Sequence, residues 1–313
     1  MEKGKKRKTS LLKNSRYTKR LLFYICILAL PLLQFAIFYI YVNIDSIILA
    51  FQHYEIVDGG VGYKVSFAGF ENFKNVFKIF VDKPQLIENS MILFVVEFFI
   101  GIPIALLFSY YIYKHRLFAG FFRVFLFLPQ IISGTVFVIV VKALLSTAFP
   151  GSGLPDILIH ATIDVRRTTL LIFVLFMSFG TNVLLFTGAM TNIPPSLVEA
   201  SQLDGCNPVQ EFIFVTLPCI FPTIVSFVIM TIGTIFTNQM YLFTFAFQDD
   251  GLSTIGYFIY SEAQNIYGGL VPSSEKVSSY STLSAFSLLI TLVLFPVTLG
   301  VRKLLLKFGP SPN

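Results

Sequence analysis

Charge is what this chain has least of. Only 13% of its 313 residues are Asp, Glu, Lys or Arg, against roughly 25% in soluble domains. With 55% hydrophobic residues, so little charge cannot cover a water-facing surface, which excludes a soluble globular protein. The three cysteines, Cys26, Cys206 and Cys219, have no metal or redox spacing. Cys26 and Cys219 lie in or beside apolar runs, where a thiol acts as a small hydrophobe. His53, His115 and His160 fall in or near loops, and no two have metal-ligand spacing, so no metal site is expected. No G-x-x-x-x-G-K-[ST] occurs, so the chain lacks that cradle for nucleotide phosphates. Nor is there a cluster of His, Asp and Ser to support a membrane-embedded enzyme, and no catalytic residue is assigned.

What the chain does have is apolar runs near the roughly 20 residues needed to cross a bilayer core. Six spans are predicted: Leu21–Val42, Ser90–Tyr113, Phe121–Leu145, Thr169–Met190, Ile220–Phe247 and Tyr280–Leu299. This describes an all-α polytopic membrane protein. The first run follows "KGKKRKTSLLKNSRYTKR", and nine Lys or Arg precede Leu21. A signal peptide has a shorter apolar run and a small-residue cleavage site, so the first span is expected to be retained.

Lys and Arg accumulate on the cytoplasmic side. With both ends inside, cytoplasmic segments hold 15 of the 23 basic residues. They sit in the tail of residues 1–20, at Lys114, Arg116 and Arg123, and at Arg302, Lys303 and Lys307 in the tail of residues 300–313. The outside segment 43–89 has only Lys64, Lys74, Lys78 and Lys83 against six acids. One loop fits poorly, since Arg166 and Arg167 fall outside. The net charge of +6 thus reflects residues beside spans, and no nucleic-acid partner is expected. Within segment 43–89, "VSFAGFENFKNVFKIF" reads as an extended piece leading into a short amphipathic surface helix. The outside loop 248–279 is open to two readings, a solvated connector or a surface that touches a partner or solute.

The stretch "IPPSLVEASQLDGCNPVQEFIFVTLP", within the predicted cytoplasmic loop 191–218, contains no Lys or Arg. Pro194-Pro195 stops the fourth span. Ser196 and Glu199 have capping-box spacing. Gly205 offers a left-handed stop after Leu203-Asp204, and Asn207 caps a second short helix with Pro208 at its first position. That helix is expected to end where Pro218 opens the fifth span. Leu197, Val198, Ala200 and Leu203 cannot all be buried in so short an element. Two readings stand on the residues alone, a docking surface rimmed by acids and an ordinary loop whose Glu199 caps its own helix.

Polar groups inside spans are costly and are therefore candidate sites. The fifth span offers Thr231, Thr234, Thr237, Asn238, Gln239 and Tyr241. Thr234, Asn238 and Tyr241 follow i, i+4, i+7 and are expected on one helix face. Uncharged amides and hydroxyls beside an aromatic ring suit a neutral, hydroxyl-rich solute, although polar residues also glue helices together. Glu97 is the acid well inside a span, read either as a polar contact in the bundle or as a proton-relay group. Lys142 is expected to snorkel to the outer interface.

The E-A-S-x-x-D-G of Glu199–Gly205, with Leu217-Pro218 after it, resembles the EAA loop of ABC-importer permeases. Glu199, Ala200, Asp204, Gly205, Phe212, Leu217 and Pro218 match that pattern; Ser201 replaces its second alanine and Val215 its isoleucine. "FAGFENFKNVF", "FFRVFLFLPQIISGTV" and "FGTNVLLFTGAMTNIPPSLVEAS" resemble further segments of carbohydrate-importer permeases, so the likeness covers nearly the whole chain. The long basic tail and the F-L-P motif are most similar to the maltose-type first permease. Two features depart from the family: Gln248-Asp249-Asp250-Gly251 replaces the usual Gly-Gly-Gly-Pro, and basic residues are missing from the loop.

The resemblance implies a type I ABC importer permease fold in the bacterial plasma membrane, with both termini cytoplasmic and no ATPase site of its own. ATP and Mg would be bound by two cytoplasmic ATPase subunits. Leu197, Glu199, Ala200, Ser201, Leu203, Asp204 and Gly205 would form the coupling helix seated on them. A second, related permease and an extracytoplasmic solute-binding protein would complete the transporter. The cargo would be a carbohydrate, an oligosaccharide, contacted by Thr234, Thr237, Asn238, Gln239 and Tyr241, with Phe179, Gly180 and Asn182 added from the fourth span. The alternatives are an ion-coupled secondary transporter using Glu97 and an ABC permease for a non-sugar solute.

Overall fold

A computed structural model describes residues 2–56, 63–148, 162–245, 250–267 and 273–310. Among the described residues, five helices are long and apolar enough to cross a membrane, or six when the one bent pair is counted as a span. In chain order the crossings are Thr18–Ala50, Gln85–Tyr113, Ala119–Ile131 with Gly134–Val141, Ile163–Thr191, Pro208–Thr234 and Tyr280–Phe308. These are the first to sixth spans below.

The second, fourth and fifth spans make the centre. Ile102, Ala105 and Ile112 of the second pack with Val183, Phe186 and Met190 of the fourth and Ile220, Phe227 and Ile232 of the fifth. The rings of Phe186 and Phe227 lie 4.3 Å apart. Small and hydroxylated residues bring the helices close, as is common within membranes. Ser109 donates its hydroxyl proton to the Val183 carbonyl at 3.0 Å. At Gly180 a methyl group would stand 1.9 Å from the Leu126 carbonyl oxygen, so only glycine allows the third and fourth spans to touch there. The first span is the opposite case. Its apolar residues face outward along its length, with Leu30 76% and Phe38 71% exposed, and burial begins only at Ala50.

Two spans are broken where the sequence predicts continuous helices. The third is not a continuous helix over Phe121–Leu145, because its two halves meet at 98°. Pro129 removes one backbone donor just before the corner, and Ile132 is extended at φ −87° and ψ 139°. The fifth does not reach Phe247. Its helix stops at Thr234, and a short helix, Leu242–Phe245, follows a turn. Thr231, Thr234 and Thr237 donate their hydroxyl protons to the carbonyls of Phe227, Thr231 and Thr234 at 3.0, 3.0 and 3.3 Å, local competition that loosens a helix near its end. Met240 and Tyr241 then take left-handed φ values of 50° and 55°. The sixth span is longer than expected, part of a helix running Ser273–Phe308.

The segment after the first span is not wholly helical. Gln52–Ile56 and Tyr63–Phe67 pair antiparallel, with Gln52 opposite Phe67. The amphipathic helix follows at Glu71–Asp82 and buries Val76. Gly69, at φ +57°, makes the turn between strand and helix. Asn72 then donates to the carbonyls of Ala50 and Gln52 at 2.9 and 3.0 Å, tying this cap to the end of the first span. The loop after the fifth span is also no mere connector. Its helix Ile255–Tyr267 folds back on the bundle, where Thr254 and Ile255 are buried. Asn89 donates to the Gly251 and Ser253 carbonyls at 2.9 and 3.0 Å, and Ser90 accepts from the Ile255 amide at 3.0 Å. The departure at Gln248-Asp249 lies outside the described residues, as does the side chain of Lys142.

Candidate functional site

The corner of the third span faces the broken end of the fifth. A methyl group on Gly134 would stand 2.8 Å from a Tyr241 ring carbon, so the first residue after the corner has no side chain because the ring occupies that space. Broken helices inside a membrane are tolerated where the freed backbone lines a cavity, and such breaks are the common marker of a transport site. A cavity of about 570 Å³ does open here. Gln130 and Thr135 flank the third-span corner, while Thr237, Asn238, Gln239, Tyr241 and Thr244 come from the fifth-span turn. Met177 and Ser178 close one side and Tyr260, from the folded-back helix, another.

The expectation for the fifth span therefore needs one correction. Thr237, Asn238, Gln239 and Tyr241 do converge on one cavity, but not as a helix face. They lie beyond the helix, in the turn, and Thr234 is not among the cavity-lining residues. The turn is held by the Asn238 side-chain oxygen, which accepts from the Met240 amide at 2.9 Å, and by the Asn238 carbonyl, which accepts from Thr254 at 2.8 Å. Left-handed non-glycine residues are strained and cluster at functional sites.

The fourth-span residues expected at the site, Phe179, Gly180 and Asn182, are not brought to this cavity. Phe179 and Asn182 line a separate apolar pocket of about 240 Å³ with Gly101, Ile104, Leu175, Phe176 and Ser178. Phe179 also packs edge-on against Phe108 at 5.4 Å. Gly180 is a packing residue against Leu126, as above. Sequence reasoning missed the polar lining residues Gln130, Thr135, Ser178, Thr244 and Tyr260. It noticed Glu97 without placing it. That residue opens a π-helical turn, Glu97–Gly101, and lines the same cavity; π-turns are frequent at functional sites.

At the opposite end of the bundle, the fourth span stops at Thr191 and a helix runs Pro195–Leu203. Its predicted cap is absent: Pro194 precedes the helix and no side chain caps it, so Ser196 and Glu199 form no capping box. Gly205 makes the turn at φ +79°. The second cap forms as expected, with Asn207 and Gln210 bonding each other's amides at 2.9 Å. That helix does not end at Pro218. It continues through a π-turn at Phe212–Thr216 into the fifth span, so the segment and the span form one rod.

Glu199, Ala200, Asp204 and Gly205 are exposed, as are Leu197 and Leu203, the latter by 89%. Ser201 is buried and bonds the Val198 carbonyl at 2.8 Å, which makes it an inward-facing support. The missing base is supplied from elsewhere. Lys114, at the end of the second span, forms an ion pair with the buried carboxylate of Glu211. Beside it, Tyr110 donates to the Pro208 carbonyl at 2.9 Å.

Residues 91–306 match the family described as the binding-protein-dependent transport system inner membrane component. The chain belongs to this family. It is a multi-pass permease subunit of the bacterial plasma membrane, and the reading as an ion-coupled secondary transporter falls. The arabinooligosaccharides transport system permease protein AraP of Halalkalibacterium halodurans is 28% identical over 248 residues, 74% of either chain. The multiple sugar-binding transport system permease protein MsmF of Streptococcus mutans is 23% identical and covers 90% of this chain and 94% of its own. A crystal structure of a bacterial ABC transporter involved in the import of the acidic polysaccharide alginate contains a chain of the same fold. The two superpose with a TM-score of 0.69 at 19% identity, covering 94% of this chain and 98% of that one.

Proposed function

We propose that this permease forms the membrane pathway of an ATP-driven importer for an oligosaccharide. The observation that carries the reading is the cavity between two broken spans. Beside Glu97, Val174 and Met177, its lining is amide, hydroxyl and aromatic: Gln130, Asn238 and Gln239, Thr135, Ser178, Thr237 and Thr244, Tyr241, Phe243 and Tyr260. Sugars present hydroxyls in both hydrogen-bonding senses and apolar ring faces, which such a lining matches. The relatives named above carry sugar-transport descriptions, which supports the same class.

Cytoplasmic ATPase subunits would supply ATP hydrolysis with Mg, and this chain would supply their docking site. The exposed faces of Leu197, Glu199, Leu203 and Asp204 form that site in this reading, and Gly205 gives its turn. Movement there is passed directly to the cavity, because the helix from Pro208 to Thr234 joins the docking segment to the Thr237–Tyr241 turn. The Lys114–Glu211 pair carries the second span with it. The outward apolar face of the first span suits a second permease, and the cap built on Asn72 and the Ile255–Tyr267 helix suits an extracytoplasmic binding protein. In this orientation both termini are cytoplasmic.

The test is uptake of labelled oligosaccharides by cells expressing the whole transporter with Gln239→Ala or Glu199→Ala in this subunit. Gln239→Ala is expected to lower uptake with the ATPase still co-purifying, and Glu199→Ala to lower both. Normal uptake in both variants would sink the assignment of these sites.

A further inference from the structure

Among the described lining residues of the cavity, Glu97 is the one carboxylate and there is no Lys, Arg or His. The carboxylate of Glu97 makes no hydrogen bond or ion pair within the chain among the described residues, while its backbone is bonded within the helix. The neighbouring surface explains why it stays there. The Glu97–Gly101 turn is π-helical, and a methyl group on Gly101 would stand 2.9 Å from Leu175 and 3.7 Å from the Glu97 side chain, so the fourth span presses closely on this turn. Intramembrane carboxylates are retained for a role because they cost so much to bury.

We infer that Glu97 selects among saccharides by charge: it accepts hydrogen bonds from the hydroxyls of a neutral sugar and rejects a uronate. The inference rests on the oligosaccharide reading above. A carboxylate is an acceptor with several lone-pair sites, and hydroxyl donors to an ionised acceptor form stronger bonds than neutral pairs. A saccharide carboxylate in the same cavity meets a like charge with no cation in this chain's lining to offset it, and like-charge juxtaposition discriminates strongly between ligands. A cavity built for an acidic polymer needs the reverse, a basic side chain facing the sugar acid. On this inference, the fold shared with an alginate importer does not extend to its cargo.

The experiment is direct binding to the assembled permease–ATPase complex in nanodiscs, without the solute-binding protein, whose own selectivity is thereby removed. The probes are fluorescently labelled pentasaccharides of galactose and of galacturonate, which differ only in oxidation at C6. The wild-type complex is expected to prefer the neutral probe by about tenfold or more. Glu97→Gln removes the charge but keeps the shape, and should shrink that preference about tenfold, chiefly by admitting the acidic probe. Gln130→Lys keeps Glu97 and adds a cation to the same cavity, and should shift the preference in the same direction. Binding of both probes at a ratio unchanged by either variant overturns the inference and leaves the sugar reading standing. Binding of neither probe by the wild-type complex overturns both.

Discussion

Lys114 lies against the carboxylate of Glu211, which is 5% exposed, and its ammonium sits 5.7 and 5.6 Å from the ring centres of Tyr110 and Tyr113. This joins the end of the second span to the start of the rod that becomes the fifth. A buried acid in a loop without basic residues is thereby compensated from a part of the chain about a hundred positions away.

Removing one partner of that pair leaves a buried charge alone. Lys114→Met is expected to destabilise the protein by about 3 kcal/mol and to lower the melting temperature of the detergent-solubilised complex. Lys114→Met with Glu211→Leu should recover most of the loss, since the uncompensated charge is gone. An equally low melting temperature in the double variant would show that packing, not charge, dominates there.

Gly205 has φ +79°, and a methyl group there would meet nothing within 4 Å. Backbone strain is then the only cost of a side chain, about 1–2 kcal/mol for a β-carbon in the left-handed region. Gly205→Val should leave membrane insertion intact while reducing uptake severely, because the strain displaces the exposed face of Glu199 and Leu203. Gly205→Asn, which tolerates this region better, should retain more uptake than Val. Equal uptake in the two variants would rule out a conformational role.

Gly134 and Tyr241 compete for one space. Gly134→Ala is expected to impair solute binding and stability by pushing the ring out of place. Combining it with Tyr241→Ser should restore stability but not binding, as the ring itself lines the cavity. Thermal melting and pentasaccharide binding on the same samples separate the two effects.

Asn72 has a single amide reaching two carbonyls. Asn72→Ala leaves the Ala50 and Gln52 carbonyls without that donor, at a cost of about 1–3 kcal/mol. The strand pair should then become sensitive to protease before the bundle unfolds. Unchanged proteolysis of residues 52–67 would show that the hairpin is held by other contacts.

Several of these features were legible in the residues. Asn207, Pro208 and Gly205 announce their own cap and turn because local chemistry decides them: a side-chain acceptor, a missing N–H, a missing β-carbon. The Ser196–Glu199 box failed for the same kind of local reason, since Pro194 already occupies the position before the helix. Glu97 was visible as an odd charge, but its neighbours come from four other elements, and no spacing in one chain reveals them. Thr234, Asn238 and Tyr241 have perfect helical spacing and yet share no helix face, because three threonines and two left-handed residues end the helix between them.

The sequence alone determined the class of the protein, its apolar crossings and the acidic segment with its short first helix, its Gly205 turn and its Asn207 cap, because these follow from solvation and from interactions within a few residues. Only the tertiary structure decided that the third and fifth spans break where they meet and that Glu97, Gln130 and Tyr260 enclose the same space as Asn238. It also decided that Lys114 supplies the base which the segment around Glu211 lacks. The physical reason is packing: the Gly134–Tyr241 and Gly180–Leu126 approaches each need two distant segments to leave room for one another, and that need has no trace in either segment alone.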